Sequence, residues 1–275
     1  MKISIITINY NNLDGLKKTM TSVLEQTYAN VEYIIIDGGS TDGSKRYIES
    51  CQQDLAYWVS ESDRGIYNAM NKGIAQATGE YLLFLNSGDW LAGVKVLDLI
   101  SKNLGNCGIL YGNLIKVYAN GSEKVDKGPE SSQLTLFHFF DGTINHPSAF
   151  IKRDLFKSYG SYDESLKIVS DWKFFLISIG LNETVVKYVD LEICHFDMSG
   201  LSNVNIKGRN EERNIVLKNE LSLKTFNDYS RFSEIAKTVN NPRVQMLLKS
   251  EHSTLARKLN IKWFRLISIL LKKKG

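Results

Sequence analysis

The chain has 275 residues, 43% of them hydrophobic, and a formal net charge of +4. That is enough apolar material for a full core, which excludes disorder as the default state, and the interspersed charges give no compositional sign of nucleic-acid binding. Three cysteines, Cys51, Cys107 and Cys194, lack the spacing of a zinc or redox motif and suit buried thiols in a reducing cytosol.

The start, Met1-Lys2-Ile3-Ser4-Ile5-Ile6-Thr7, turns polar too quickly for a secretory signal and reads as a buried first strand. No uninterrupted apolar run approaches the roughly 20 residues of a spanning helix. The expectation is a cytoplasmic protein, either soluble or peripheral on the cytoplasmic face of a membrane.

In chain order, short apolar runs alternate with helical patterns, as parallel βαβ units require. Lys2–Thr7 is the first strand. Leu13–Gln26 follows as a helix, with Leu13, Leu16, Met20, Val23 and Leu24 on one face. Val31–Ile36 is the second strand and Gly43–Ser50 a helix; Leu55–Val59 is the third strand and Ile66–Ala77 a helix. Tyr81–Leu85 is the fourth strand and runs into Asn86-Ser87-Gly88-Asp89.

Ligands of open parallel sheets bind beyond the carboxyl ends of the strands. Here those ends are polar: Thr7–Asn12, Asp37–Gly43, Ser60–Gly65 and Asn86–Asp89. All four tips are expected on one edge of the sheet, forming a shared cleft.

From about Cys107 the pattern changes to extended stretches, Ile109–Tyr118 and Ser148–Lys152, separated by the polar segment 120–132, either a hairpin or a loop. Ser170 is placed to cap a helix that includes Asp171 and Trp172. Val185–Cys194 reads as a strand, and Lys207–Lys224 and the final stretch as helices.

A nucleotide-binding edge needs a carboxylate for base or ribose, tight glycine turns and cationic groups for the diphosphate. Asp37 meets the first need, and Gly38 and Gly39 allow close backbone approach; an ordinary turn is the other reading of the same residues. Asp42 reads as a helix cap rather than a ligand.

Three ordered motifs carry a specific resemblance: Asp37-Gly38-Gly39-Ser40-Thr41-Asp42-Gly43, then Asp63-Arg64-Gly65-Ile66-Tyr67-Asn68-Ala69-Met70-Asn71-Lys72-Gly73, then Gly79-Glu80-Tyr81-Leu82-Leu83-Phe84-Leu85-Asn86. The chain resembles the family 2 glycosyltransferases with the GT-A fold, strongly over residues 1 to about 90. The likeness continues more weakly through Asn145-His146-Pro147-Ser148-Ala149-Phe150 and Tyr162-Asp163-Glu164 to Ser170-Asp171-Trp172. It implies an α/β fold with a Rossmann-like nucleotide-binding half (residues 1–105), an acceptor-binding half (106–205) sharing a mixed sheet, and a C-terminal helical extension (206–275).

The resemblance also implies roles. Thr7, Asn9 and Tyr10 begin the nucleotide pocket, Asp37 matches the base-binding aspartate, and Asp63 and Arg64 match the segment beside the nucleotide. Lys72 follows on the next helix, where a solvated helix face is the competing reading. The family's D-x-D metal motif follows the fourth strand; this chain has Asn86-Ser87-Gly88-Asp89 there, with a single carboxylate. Asp89 is the expected ligand of Mn²⁺ or Mg²⁺, with Asn86 and Ser87 beside it. Asp171 matches the catalytic base, with Ser170 replacing an acid, and favourable helix N-terminal charge is the competing reading. His146 and His195 are candidates for the diphosphate and the metal respectively, against the commoner structural role of a lone histidine. Ser199-Gly200-Leu201-Ser202 resembles a loop that closes over the donor.

In the tail, Leu255, Leu259, Trp263, Leu266, Ile267 and Leu270 share one helical face opposite Arg257, Lys258, Lys262 and Arg265, before Lys272-Lys273-Lys274. Residues 254–274 therefore read either as an interfacial helix on an anionic membrane or as a helix packed on protein, including a second subunit. The combined expectation is an inverting transferase that moves a hexose or N-acetylhexosamine from a nucleotide sugar, UDP-linked, to a saccharide or lipid-linked saccharide in cell-surface polysaccharide synthesis. A silent nucleotide-sugar-binding subunit is the alternative from another class. A nucleotidyltransferase is disfavoured because Thr7–Asn12 contains neither glycine nor lysine.

Overall fold

The computed structural model describes residues 1–198 and 205–272. The donor-closing segment Ser199–Ser202 and the terminal Lys273 and Lys274 lie outside the described residues. The chain divides into two compact units, Met1–Leu221 and Ser222–Gly275.

The first unit is built on a mixed sheet. Its strands are β1 (Ile3–Asn9), β2 (Val31–Asp37), β3 (Tyr57–Ser60), β4 (Tyr81–Phe84), β5 (Trp90–Leu91), β6 (Ile109–Val117), β7 (Glu123–Asp126), β8 (Ala149–Lys152) and β9 (Val186–Asp197). Their order is β3-β2-β1-β4-β8-β6-β9-β5, with β7 paired to β6. Strands β1 to β4 are mutually parallel, so their carboxyl ends do share one edge. β8 is antiparallel to β4 and β6, and β9 runs parallel to β6. The sheet is therefore the mixed one expected from the sequence.

Helices α1 (Leu13–Leu24), α2 (Ser44–Ser50) and α3 (Ile66–Gln76) connect the parallel strands, and α4 (Val96–Ser101) follows β5. Every residue of β1 is buried, because the sheet is covered on both faces. Ile3 and Ile5 pack with Leu16, Met20 and Val23 of α1. Ile6 points the other way, onto α3, where a Cβ on Gly73 would come within 2.4 Å of it. Alternation along one strand thus fixes a helix on each face.

At the amino edge, buried Glu32 accepts bonds from Lys2 Nζ (2.7 Å), Ser4 Oγ (2.5 Å), Thr78 N (2.7 Å) and Thr78 Oγ1 (2.6 Å). Burial pushes its pKa up, but these donors outweigh burial and hold it at about 2.

Beyond β4 the elements shorten: α5 (His138–Asp141), α6 (Asp154–Tyr159) and α7 (Ser170–Phe175). The polar segment 120–132 contains β7, which forms a hairpin with β6. The first unit continues past position 205 through α8 (Ile206–Glu220) to Leu221. Val216 and Leu217 of α8 are buried, and Glu212 accepts the backbone N–H groups of Lys167 (2.9 Å), Ile168 (2.9 Å) and Val169 (3.2 Å). These contacts bind α8 to the loop that leads into α7.

The second unit holds α9 (Leu223–Val239), α10 (Pro242–Ser250) and α11 (Thr254–Lys272). Ser222 and Asn241 cap α9 and α10 through their side-chain oxygens. On α11 the exposed apolar residues include Leu255, Trp263 and Ile269.

Candidate active site

A cavity of about 700 Å³ opens where β1 and β4 end. Asn86, Ser87 and Asp89 line one side; Asp171 and Trp172 of α7, and Arg209 and Arg213 of α8, line another. Volumes of this order are typical of small-ligand sites.

The 86–89 turn is held from α1. Thr19 Oγ1 donates to the Asp89 carbonyl at 2.6 Å and accepts the Gly88 N–H at 3.0 Å. Gly88 has φ 104°, a left-handed conformation that glycine adopts without strain. The turn delivers the Asp89 carboxylate into a buried position, 4% exposed, where its hydrogen-bond donor is the Asp197 backbone N–H at 3.1 Å. Burial raises the Asp89 pKa to about 8; the Asp197 charge adds to the rise and its N–H opposes it.

The amide oxygen of Asn86 is buried with no hydrogen-bond partner among the described residues. A carboxylate disfavoured as an anion and an unsatisfied amide oxygen in one turn are hard donors that suit a divalent cation. No group of three or more His, Cys, Asp or Glu side chains with metal-site geometry occurs among the described residues. The remaining ligands of a bound ion would then come from water and the phosphate oxygens of a donor.

Asp171 lies in the first turn of α7, and Tyr67 Oη of α3 donates to its Oδ1 at 2.8 Å. Ser170 is drawn inward, its Oγ accepting the Asp163 N–H at 2.5 Å. Ser170 is thus the first residue of α7 rather than its side-chain cap. Trp172 anchors the helix by donating Nε1–H to the Gly142 carbonyl at 3.1 Å.

The two histidines differ. His146 lines the cavity but is buried, stacked on Phe84 at 4.9 Å, with Nε2 2.7 Å from Tyr162 Oη. Burial lowers its pKa against the opposing pull of Asp171, so near neutral pH it carries no charge to offer a diphosphate. His195 does not line the cavity. It stacks flat on Trp90 at 4.5 Å, across the β5–β9 pairing that sets Trp90 opposite His195. The next two residues of the strand, Phe196 and Asp197, do line the cavity. The His195 ring thus packs on Trp90 and is not among the residues that line the cavity with Asp89.

Asp37 is fully buried and accepts four bonds: Asn9 Nδ2 (2.7 Å), Ser40 Oγ (2.6 Å), Ser40 N (3.0 Å) and Ser60 Oγ (2.6 Å). Burial raises its pKa, but these bonds outweigh that and lower it overall. Asp37 thus ties the tips of β1, β2 and β3 together. Thr7 is also internal, 3.0 Å from Tyr33 Oη. Tyr10 is 69% exposed. A Cβ on Gly38 would lie 3.1 Å from Asp63 Oδ2 and 3.2 Å from the Tyr10 ring, so these three form a rim on the same sheet edge, outside the cavity lining.

The two cations expected beside the nucleotide are both ion-paired. Arg64 pairs with Glu164 at 2.8 Å, and Lys72 pairs with Asp63 at 2.6 Å and Glu61 at 2.7 Å. Of the four aspartates expected to converge, Asp89 and Asp171 line one cavity, whereas Asp37 and Asp63 organise the neighbouring strand tips.

Sequence reasoning missed three contributors. Thr19 reads only as a polar break in an apolar helical face. Arg209 and Arg213 stand four apart on one helix face and look like a solvated pair until α8 is placed against α7. Arg213 lies over the Trp172 ring at 5.0 Å, and burial together with the Arg209 charge lowers its pKa to about 10.

Comparisons with known proteins bear on the whole arrangement. Residues 4–171 match the profile of "Glycosyl transferase family 2". An uncharacterized glycosyltransferase of Mycobacterium tuberculosis is 34% identical over 207 residues, covering 73% of this chain and 77% of its own. The fold is similar to that of TarS from S. aureus, solved with UDP-GlcNAc (TM-score 0.61, 18% identity, 83% of this chain and 70% of that one). It is also similar to the mannosyltransferase PcManGT from Pyrobaculum calidifontis, solved with GDP-Man and Mn²⁺ (TM-score 0.61, 16% identity, 98% of this chain and 86% of that one). From the profile match, the sequence relative and the mixed sheet with its edge cavity, this chain belongs to glycosyltransferase family 2.

Proposed function

We propose that the chain is an inverting glycosyltransferase that moves a hexose or N-acetylhexosamine from a UDP-sugar to a hydroxyl of a saccharide or lipid-linked saccharide, in assembly of a cell-surface polysaccharide. The observation that carries this reading is that Asp171, from α7, and Asp89, from the end of β4, line the same cavity although they are far apart in sequence. TarS, solved with UDP-GlcNAc, supports the choice of a uridine nucleotide.

Asp171 takes the proton as the acceptor oxygen forms its bond to the anomeric carbon, while the bond from that carbon to the diphosphate oxygen breaks and its electron pair leaves with the nucleotide. Tyr67 fixes the carboxylate by its hydrogen bond to Oδ1. Negative charge grows on the departing diphosphate, so cationic groups on that side act on the transition state. Asp89 and Asn86 are the residues that would hold Mg²⁺ or Mn²⁺, which supplies charge neutralisation when bound; PcManGT, solved with Mn²⁺, supports this assignment.

Among the described residues no helix is long and apolar enough to cross a membrane. Residues 254–272 contain four lysines and arginines before position 272 and no acidic residue, and Trp263 is 62% exposed. We read α11 as an interfacial helix on the anionic cytoplasmic face of a membrane, which suits a lipid-linked acceptor.

The test is sugar transfer from UDP-sugars to a panel of saccharide and lipid-linked acceptors, with and without Mn²⁺, for the native chain and Asp171→Asn. Turnover lost in the variant with donor binding retained supports the reading. Donor binding by the native chain without turnover on any acceptor favours a silent binding subunit.

A further inference from the structure

Resting on that reading of the cavity, we propose that Arg209 and Arg213 of α8 form the cationic clamp for the diphosphate of the nucleotide donor.

The two side chains stand four residues apart on one helix face, and both line the cavity that holds Asn86, Asp89 and Asp171. Both are half-buried; burial and the Arg209 charge act unfavourably on the Arg213 cation, and the Asp171 and Asp141 charges offset them in part. Two guanidinium groups in a concave, partly desolvated setting repel, and an anion bearing more than one charge reverses the sign of that interaction. A diphosphate also matches the planar fork of each guanidinium with paired oxygens, which gives short charge-assisted bonds.

Lys116, Lys127 and Lys167 also line the cavity, but each is a single ammonium without the planar fork that paired phosphate oxygens match. The loop after β1 offers no glycine-rich phosphate cradle. The arginines are also held in place: Trp172 lies beneath Arg213, and Glu212, between them in sequence, is bonded to the backbone at 167–169.

The test is calorimetric titration of the full chain with UDP, GDP and UMP, with Mn²⁺ and again in EDTA, for the native protein, Arg209→Gln and Arg213→Lys. Thermal melting serves as the check on folding. The expected result is a loss of about 10- to 100-fold in UDP affinity in each variant, with UMP affinity changed by less than about 3-fold and the UDP loss persisting in EDTA. Should both folded variants bind UDP as the native chain does, or lose UDP and UMP equally, the clamp is refuted while the donor reading stands. Should the native chain bind neither UDP nor GDP, the donor reading itself fails and the clamp with it.

Discussion

Tyr67 Oη and Asp171 Oδ1 are 2.8 Å apart, joining α3, among the parallel strands, to α7, about a hundred residues later in the same unit. The tyrosine is buried and its pKa is raised by burial and by the Asp171 charge, so it stays a proton donor to the carboxylate across the working pH range. The bond has a positioning role. Tyr67→Phe is expected to lower kcat by about 3- to 10-fold, the worth of one ordinary hydrogen bond, with little change in KM for the donor. Asp171→Asn is expected to lower kcat by about 10²–10⁴-fold. Steady-state kinetics on both variants separates the two effects.

Asp89 is costly to the fold as an anion. Its folded pKa of about 8 lies above the ordinary value of 3.8, so between those pH values folding takes up a proton. The stability linked to this group is fully present below the lower value and is lost as pH rises through the upper one. Asp89→Asn removes that loss. In EDTA the variant should melt above the native chain at pH 8–9, by about 2–4 °C for each kcal/mol recovered, with the gap closing toward pH 5. The same variant should lose Mn²⁺-dependent transfer. A variant less stable than the native chain at pH 9 would contradict the assignment.

Glu32 behaves in the opposite sense. Its folded pKa of about 2 lies below the ordinary 4.5, so its contribution is present above 4.5 and is lost as pH falls through about 2. Glu32→Gln is expected to destabilise by about 1–3 kcal/mol at pH 7, since it weakens bonds from Lys2, Ser4 and Thr78. Urea melts of both proteins from pH 7 to pH 2 should converge at the acid end.

The interfacial reading of α11 predicts sedimentation of the full chain with vesicles rich in anionic lipid, weak association with zwitterionic vesicles, and release as salt is raised. Leu259→Asn with Trp263→Ser should abolish the association without changing the melting temperature of the first unit. Concentration-dependent dimerisation with no vesicle binding would favour protein packing by the same face.

The parallel half of the sheet is legible in the sequence because each strand is an apolar run that ends in a polar turn: β2 is expected at Val31–Ile36 and found at Val31–Asp37. The later elements have weaker patterns. β5 has two residues and α5 four, too few for any periodicity. The surroundings of His195 on β9 cannot be read until its pairing with Trp90 is known. Asp37 does stand at a strand tip, but its four internal donors cannot be read from spacing. The arginines of α8 carry no signal for a related reason: a cationic pair at helical spacing acquires a role only through what the tertiary fold sets opposite it.

Glu212 links these parts mechanically. One carboxylate on α8 grips three successive amides just ahead of Asp171, so any displacement of that helix drags the start of α7 with it. With the roles proposed for the two helices, leaving-group stabilisation and proton removal would be geared to a common lever, and a donor that settles α8 would also aim the base.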